Sequence, residues 1–261
     1  MSKQDTIISL LKEIDENIDN VSNGGNVSKV KVFAFYVTNQ CINEDGTWDG
    51  QFIDFSTVDN FVFKGVTNIR DWSFTKNLHP TNLTSMTEFV RDCTTTGDKQ
   101  VLDLSNFDLS KVNSYLYIAY GNRCHNKIIA NWIFPKGTNR LHTRLPFYGS
   151  VIEWLDLTSW IGNRLSTDFN LSYCGSLKTI VGDRTIEDVI NNDIKVFENI
   201  DFNLNCDHTP QLQRSSVRAI INGLSDRSNT TSLTLLLHPD VLPLLEEEDI
   251  AIATAKNWTI A

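Results

Sequence analysis

At 261 residues, with 41% apolar and 10% aromatic side chains, the chain can bury a real core without disulfide or metal staples, which excludes a disordered segment. A net charge of −9, with no basic block of five or more residues, argues against electrostatic capture of nucleic acid or of an anionic membrane. No apolar stretch approaches the ~20 residues that span a bilayer, so neither nucleic acid nor an inserted membrane is expected as a partner.

The first residues, Met1-Ser2-Lys3-Gln4-Asp5, are followed by no uninterrupted apolar run of the signal-peptide kind, which places synthesis and initial residence in the cytoplasm of the producing cell. Residues 4–21 read as a helix, with Asp5 at a cap position and Asn23-Gly24-Gly25-Asn26 as its end. Ile7, Leu11, Ile14, Ile18 and Val21 are spaced 4, 3, 4 and 3, a two-heptad seam with leucine or isoleucine at a and isoleucine or valine at d. Leucine at a with isoleucine at d favours trimers or tetramers over dimers. A helix this short must pack on something: copies of itself, another protein, or its own domain. The Gly-Gly linker favours the first two.

Residues 29–37 alternate and then run apolar, and predict a strand. Asn43 to Gly50 is a turn whose acidic residues are not at calcium-loop spacing, and no metal is expected there. Residues 51–63 predict one or two more strands.

From residue 69 a pattern recurs. An aliphatic residue is followed two positions later by Asp, Asn or Ser and then by Trp or Phe: Ile69-Arg70-Asp71-Trp72, Leu104-Ser105-Asn106-Phe107, Ile129-Ala130-Asn131-Trp132 and Leu157-Thr158-Ser159-Trp160. The aromatics lie 35, 25 and 28 residues apart. Leu102-Asp103-Leu104 and Leu155-Asp156-Leu157 extend the match. One short strand with a return segment cannot bury its own apolar face, whereas stacked units can. Alternation puts Leu102, Leu104, Leu155, Leu157, Ile129 and Ile180 inward as buried strand residues and Asp103 and Asp156 outward. The Asn or Asp before the aromatic is suited to a backbone hydrogen bond at the turn, and the aromatics are expected to fill the interior. Leu177–Val181 and Ile200–Leu204 predict two further strands.

Cys174-Gly175-Ser176-Leu177-Lys178-Thr179-Ile180 and Leu102-Asp103-Leu104-Ser105-Asn106-Phe107-Asp108 resemble the BspA-type leucine-rich repeats of gut Bacteroidales and their phages, crAss-like phages among them. Asn82 to Phe89 resembles the short helix that follows the strand in that family. The resemblance covers about residues 60–205. It implies an α/β solenoid of irregular leucine-rich repeats.

Ser215–Leu224 predicts a helix with a stripe at Val217, Ile220, Ile221 and Leu224. Leu233–Leu237 is a strand, and Glu246–Lys256 a second helix with acidic residues in its first turn and Lys256 in its last. Ala253 to Ile260 resembles the closing unit of such repeat proteins. The expected layout is therefore an oligomerising or anchoring helix at 1–23, a small β segment at 27–60 acting as an N-terminal cap, the solenoid at 61–205, and a C-terminal α/β cap at 206–261.

Cys41, Cys93, Cys124, Cys174 and Cys206 form no C-x-x-C pair, and their odd number argues against a disulfide framework; all are expected to be buried small hydrophobes. His79, His125, His142, His208 and His238 fall in no metal or catalytic spacing, and there is no nucleophile elbow, phosphate loop or dinucleotide fingerprint. No catalytic residue, cofactor or metal is expected. The better surface candidates for ligand binding are the aromatics outside the pattern: Tyr115, Tyr117, Tyr120, Tyr148 and Trp154. The expectation is a non-enzymatic, homotrimeric fibre subunit of a phage virion, contacting other virion proteins through its N-terminus and a host surface glycan or protein through the solenoid. A bacterial surface adhesin is the competing expectation, and an enzyme a third.

Overall fold

Segments that cannot bury their own apolar side pair in parallel with the next segment along the chain, and that pairing organises the molecule. A computed structural model describes residues 34–48, 53–67, 69–132, 145–160, 169 and 171–261. Strand β1 (Ala34–Tyr36) pairs with β2 (Asn60–Val62), Phe35 opposite Phe61. Strand β3 (Gln100–Leu104) pairs with β4 (His125–Ala130), Leu102 opposite Ile128. In a third sheet β6 (Leu233–Leu237) lies between β5 (Leu204–Cys206) and β7 (Trp258–Ile260). All of these pairs are parallel. Single parallel bridges continue the same stacking, from Asn60 to Ser85 to Ser114 and from Lys127 to Trp154 to Thr179.

This arrangement corrects the expected α/β solenoid of leucine-rich repeats. The sheets are separate and short, of two, two and three strands, rather than one sheet running through successive units. The described α-helices, α1 (Ile186–Asn191), α2 (Arg214–Gly223) and α3 (Glu247–Ala255), lie together late in the chain, where they alternate with the strands of the third sheet, and none of the described residues before Ile186 forms an α-helix. Two physical causes are visible. Residues 82–89, expected to be a helix, instead form a bridge at Ser85 and a run of turns in which Glu88 has φ +59°, a left-handed conformation that cannot propagate a helix. Beyond the β1–β2 and β3–β4 pairs, the units at Ser85, Ser114, Trp154 and Thr179 meet their neighbours through single parallel bridges, too short to extend either sheet.

The apolar pattern nevertheless marks the interior. Leu102, Leu104, Leu155, Leu157 and Ile180 are buried, and Asp103 and Asp156 only half-buried. Ile129 is the exception. Leu104 faces Ala130, so Ile129 takes the place of Asp103, and its neighbour Ile128 is the buried residue. Trp132 follows its strand one residue sooner than Phe107 does, and that shortening moves the side chains by one position. Trp72, Phe107, Trp132 and Trp160 are core residues; Trp132 meets Trp160 edge-on at 5.8 Å. Asn131 donates to the Ser105 carbonyl at 3.0 Å, so the asparagine before the aromatic ties neighbouring layers rather than its own turn.

Other expected elements are shorter than the sequence suggests. Within 51–63 the regular strand is β2 alone, 177–181 makes isolated bridges, and the strand expected from Ile200 begins at Leu204. Four cysteines are buried; Cys41 is exposed, contrary to expectation. Cys93 donates to the Phe63 carbonyl and Cys174 to that of Phe147, at 2.9 and 3.2 Å. Burial pushes the Cys124 thiol to about 12 and, with Asp207 adding to it, Cys206 to about 12, so neither is a thiolate at neutral pH.

The C-terminal helices appear where the apolar stripe and the acidic first turn placed them. Gly223 closes α2 against the 197 backbone, where a Cβ would stand 2.0 Å from the Phe197 carbonyl oxygen. Asp249, fully buried on α3, accepts from Arg214 Nε at 2.8 Å and Arg218 Nη1 at 2.7 Å, clamping α2 to α3. Lys256 Nζ donates to the carbonyls of Ile221 and Asn222 at the end of α2.

Candidate binding face

Between the paired segments the chain turns, and successive turns are tied to one another through the same backbone position. Gly65 N–H donates to Arg91 O, Asp92 N–H to Tyr120 O, Gly121 N–H to Tyr148 O and Gly149 N–H to Tyr173 O, at 2.8, 2.8, 2.8 and 3.0 Å. Neighbouring residues in each turn point inward and are buried: Phe89 and Val90, Ile118 and Ala119, Phe147, and Cys174. The residue whose carbonyl accepts therefore carries its side chain to the outside, one above the next.

That column is aromatic. Tyr120 and Tyr148 stack at 5.1 Å with 11° between planes, Tyr148 and Tyr173 lie 4.7 Å apart, and Tyr173 meets His208 at 4.1 Å. Tyr117 stands edge-on to Tyr120 at 5.7 Å. The Arg91 guanidinium closes one end, 5.0 Å from the Tyr120 ring centre and 5.2 Å from that of Tyr117. Arg91 is paired with Glu88 and Asp92, and Glu88 also with Lys64, two cations against two anions. Desolvation pushes the Glu88 carboxyl up, but hydrogen bonds from Lys64 and Arg91 outweigh it and hold the group below its ordinary value. Partial desolvation, with the phenols of Tyr173 and Tyr120 beside it, raises Tyr148, which stays a neutral hydroxyl.

Of the aromatics proposed from sequence, Tyr117, Tyr120 and Tyr148 come together here. Tyr115 does not, and that expectation is corrected. Ser114 bridges Ser85, so Tyr115 follows as Met86 does, and both are fully buried. Its ring packs edge-on against Trp132 and Trp160, and burial pushes its phenol well up. Trp154 is half-buried on the Lys127–Trp154–Thr179 column, with Lys127 Nζ 3.8 Å above its ring and its indole N–H given to Asp183. Sequence reasoning missed Tyr173, half exposed, and also Arg91 and His208. The signal was present: Tyr120, Tyr148 and Tyr173 recur at 28 and 25 residues, within the spacing of the core aromatics. Ile7, Leu11, Ile14, Ile18 and Val21 lie outside the described residues.

Elsewhere the chemistry is sparse. Cys124 and His125 form no dyad, since His125 Nδ1 faces Asn122 at 3.0 Å and burial drives the imidazole down to about 3. A cleft of about 790 Å³ among Glu44, Arg70, Asp98 and Gln100 has its charged groups exposed. Among the described residues no three His, Cys, Asp or Glu side chains gather to hold a metal ion, and no helix is long and apolar enough to cross a membrane.

Comparisons with family models, curated proteins and solved structures each found no match.

Proposed function

We propose that this chain is a non-enzymatic binding protein whose ligand lies on the Arg91–Tyr120–Tyr148–Tyr173–His208 column, and that it works as a subunit of an oligomeric phage virion appendage, displaying that face toward a host surface. The observation that carries the binding reading is the column itself. Four consecutive layers place a guanidinium or a tyrosine at one outward position, where core packing does not require it, and His208 extends the column by its ring contact with Tyr173. Tyrosine is suited to such a face because its rigid ring adds contact area at little entropic cost while its hydroxyl hydrogen-bonds.

The appendage setting rests on the sequence: the seam at Ile7, Leu11, Ile14, Ile18 and Val21, the glycine linker behind it, and the resemblance of Leu102–Asp108 and Cys174–Ile180 to Bacteroidales and phage proteins. Three copies of one face would strengthen weak contacts by a factor of roughly 10²–10⁴ through effective concentration. Light scattering on the full chain tests the assembly. The expected result is a trimer that Leu11→Asp with Ile18→Asp converts to monomer; a monomeric wild type overturns the oligomeric reading. Labelled protein on Bacteroidales cells tests the face. Tyr148→Ala should abolish adsorption, and unchanged adsorption would remove the column as the binding surface.

A further inference from the structure

The rings of the column cover one another. Tyr120 and Tyr148 are nearly parallel, Tyr173 lies between Tyr148 and His208, tilted by 45° and 43° to them, and Arg91 lies against Tyr117 and Tyr120. The ring faces are thereby spent on each other, and a ligand lying along the column meets ring edges and hydroxyls. None of the described hydrogen bonds engages the hydroxyl of Tyr117, Tyr120, Tyr148 or Tyr173. Four hydroxyls that both donate and accept are thus on offer, at intervals set by layers about 5 Å apart.

Three classes of ligand fit this poorly. A polyanion finds Arg91 and Lys64 already neutralised by Glu88 and Asp92, on a chain of net charge −9. A peptide adding as a strand finds the backbone groups of the column used in bonding layer to layer. An apolar ligand finds no open ring face in the middle of the stack. A polymer that is itself a row of hydroxyls, uncharged and extended, fits all of these features. Resting on the reading of the column as the ligand face, we infer that it binds a linear neutral glycan, held edge-on by the hydroxyls of Tyr120, Tyr148 and Tyr173 rather than by stacking of sugar on ring.

The test uses the full chain on immobilised linear hexasaccharides (β-1,4-glucan, β-1,3-glucan, β-1,4-N-acetylglucosamine and α-1,6-mannan), with heparin as the polyanion. The expected result is retention on at least one neutral glycan and none on heparin. Replacing Tyr120, Tyr148 and Tyr173 together by Phe keeps the stacked rings and removes only the hydroxyls. At about fivefold per hydrogen bond it should weaken binding on the order of a hundredfold. Trp154→Ala should change nothing. If the triple Phe variant binds like wild type while Tyr148→Ala does not, rings and not hydroxyls hold the ligand, and the edge-on mode is overturned. Retention on heparin alone, or on none of the hexasaccharides, overturns the neutral-glycan inference. Cells then separate the two readings: adsorption that still needs Tyr148 but is lost to protease, not periodate, leaves the face standing with a protein partner. Adsorption indifferent to Tyr148 overturns both.

Discussion

Around Trp72 and Trp132 the interior holds two indole N–H groups and the Nε2 of His125 with no hydrogen-bond partner among the described residues. Around Asp249, in contrast, both carboxylate oxygens accept from arginines, and Arg218 donates through Nε to Asn222, through Nη1 to Asp249 and through Nη2 to Glu248, with Arg214 Nη2 the clamp's one buried nitrogen without a partner among the described residues. The central layers are held by backbone bonds and by rings meeting edge to face, Trp72 against His125 at 4.5 Å for example, and tolerate orphaned donors in exchange for dense aromatic packing. The C-terminal helices are held by a charged clamp that positions α3 on α2 and works only if complete. Damage should therefore be graded and local in the first region, and abrupt in the second.

The largest effect is expected at the clamp. Asp249→Ala takes from Arg218, almost wholly buried, its one buried counter-charge and leaves it only the exposed Glu248, and removal of one partner of a buried pair costs about 3–5 kcal/mol. Urea unfolding should show the midpoint falling by that equivalent. A loss under 1 kcal/mol would mean the clamp contributes nothing specific. In the central layers, Leu157→Ala removes a fully buried side chain and should cost ~2–5 kcal/mol, toward the low end if the surrounding rings relax into the space.

The two regions also differ in how they meet acid. Burial alone pulls His125 down to about 3, against an ordinary 6.5. The unfolded chain takes up this proton first, so the contribution of His125 to stability is intact above pH 6.5 and declines as pH falls from there toward 3, at roughly 1 kcal/mol per pH unit. Asp249 behaves differently. Desolvation would raise it, but hydrogen bonds from Arg214 and Arg218 outweigh that and hold it below 3.8, so its contribution is intact above 3.8 and is lost as the pH falls from there through the lower folded value. Stability measured from pH 7 to 4 should therefore slope downward, and His125→Leu should flatten the slope. A slope unchanged in that variant would assign it to other groups.

What could be read from sequence divides along similar lines. The run Leu233–Leu237 and the stripe Val217, Ile220, Ile221, Leu224 mark elements whose side chains repeat at the period of their own secondary structure, and the structure has them there. The Leu-x-Leu pairs at 102, 104, 155 and 157 likewise identified buried positions. The architecture between them was not legible, because left-handed turns at Glu88, Tyr117, Leu145 and Tyr173 leave no periodic trace, and they replace the helices an alternating α/β fold would need. The binding face was half legible. Tyr120 and Tyr148 stood out as aromatics off the core pattern, but their association with Arg91, Tyr173 and His208 is created by backbone bonds between residues about 25–30 apart. Tyr115 was lost to a shift of a single position, which sends a side chain to the opposite side.

The smallest effect on stability is the most informative about the face. Tyr117 and Tyr173 have φ of +55° and +58°, a conformation that costs a side chain on the order of 1 kcal/mol relative to glycine. Tyr173 is half exposed, so core packing does not explain its presence. Gly65, Gly121 and Gly149 show that this protein uses glycine elsewhere in the turns where φ is positive. Tyr173→Gly relieves the strain and forfeits two ring contacts worth about 0.5–1.5 kcal/mol each. The melting midpoint should accordingly move little, by the equivalent of about 2 kcal/mol or less, while adsorption to cells falls at least tenfold. A variant that loses several kcal/mol would show that the tyrosine column is a structural rib, and one that keeps both stability and adsorption would place the ligand elsewhere. Only a near-neutral stability change with lost adsorption fits a side chain that is kept, despite its strained backbone, for what it binds.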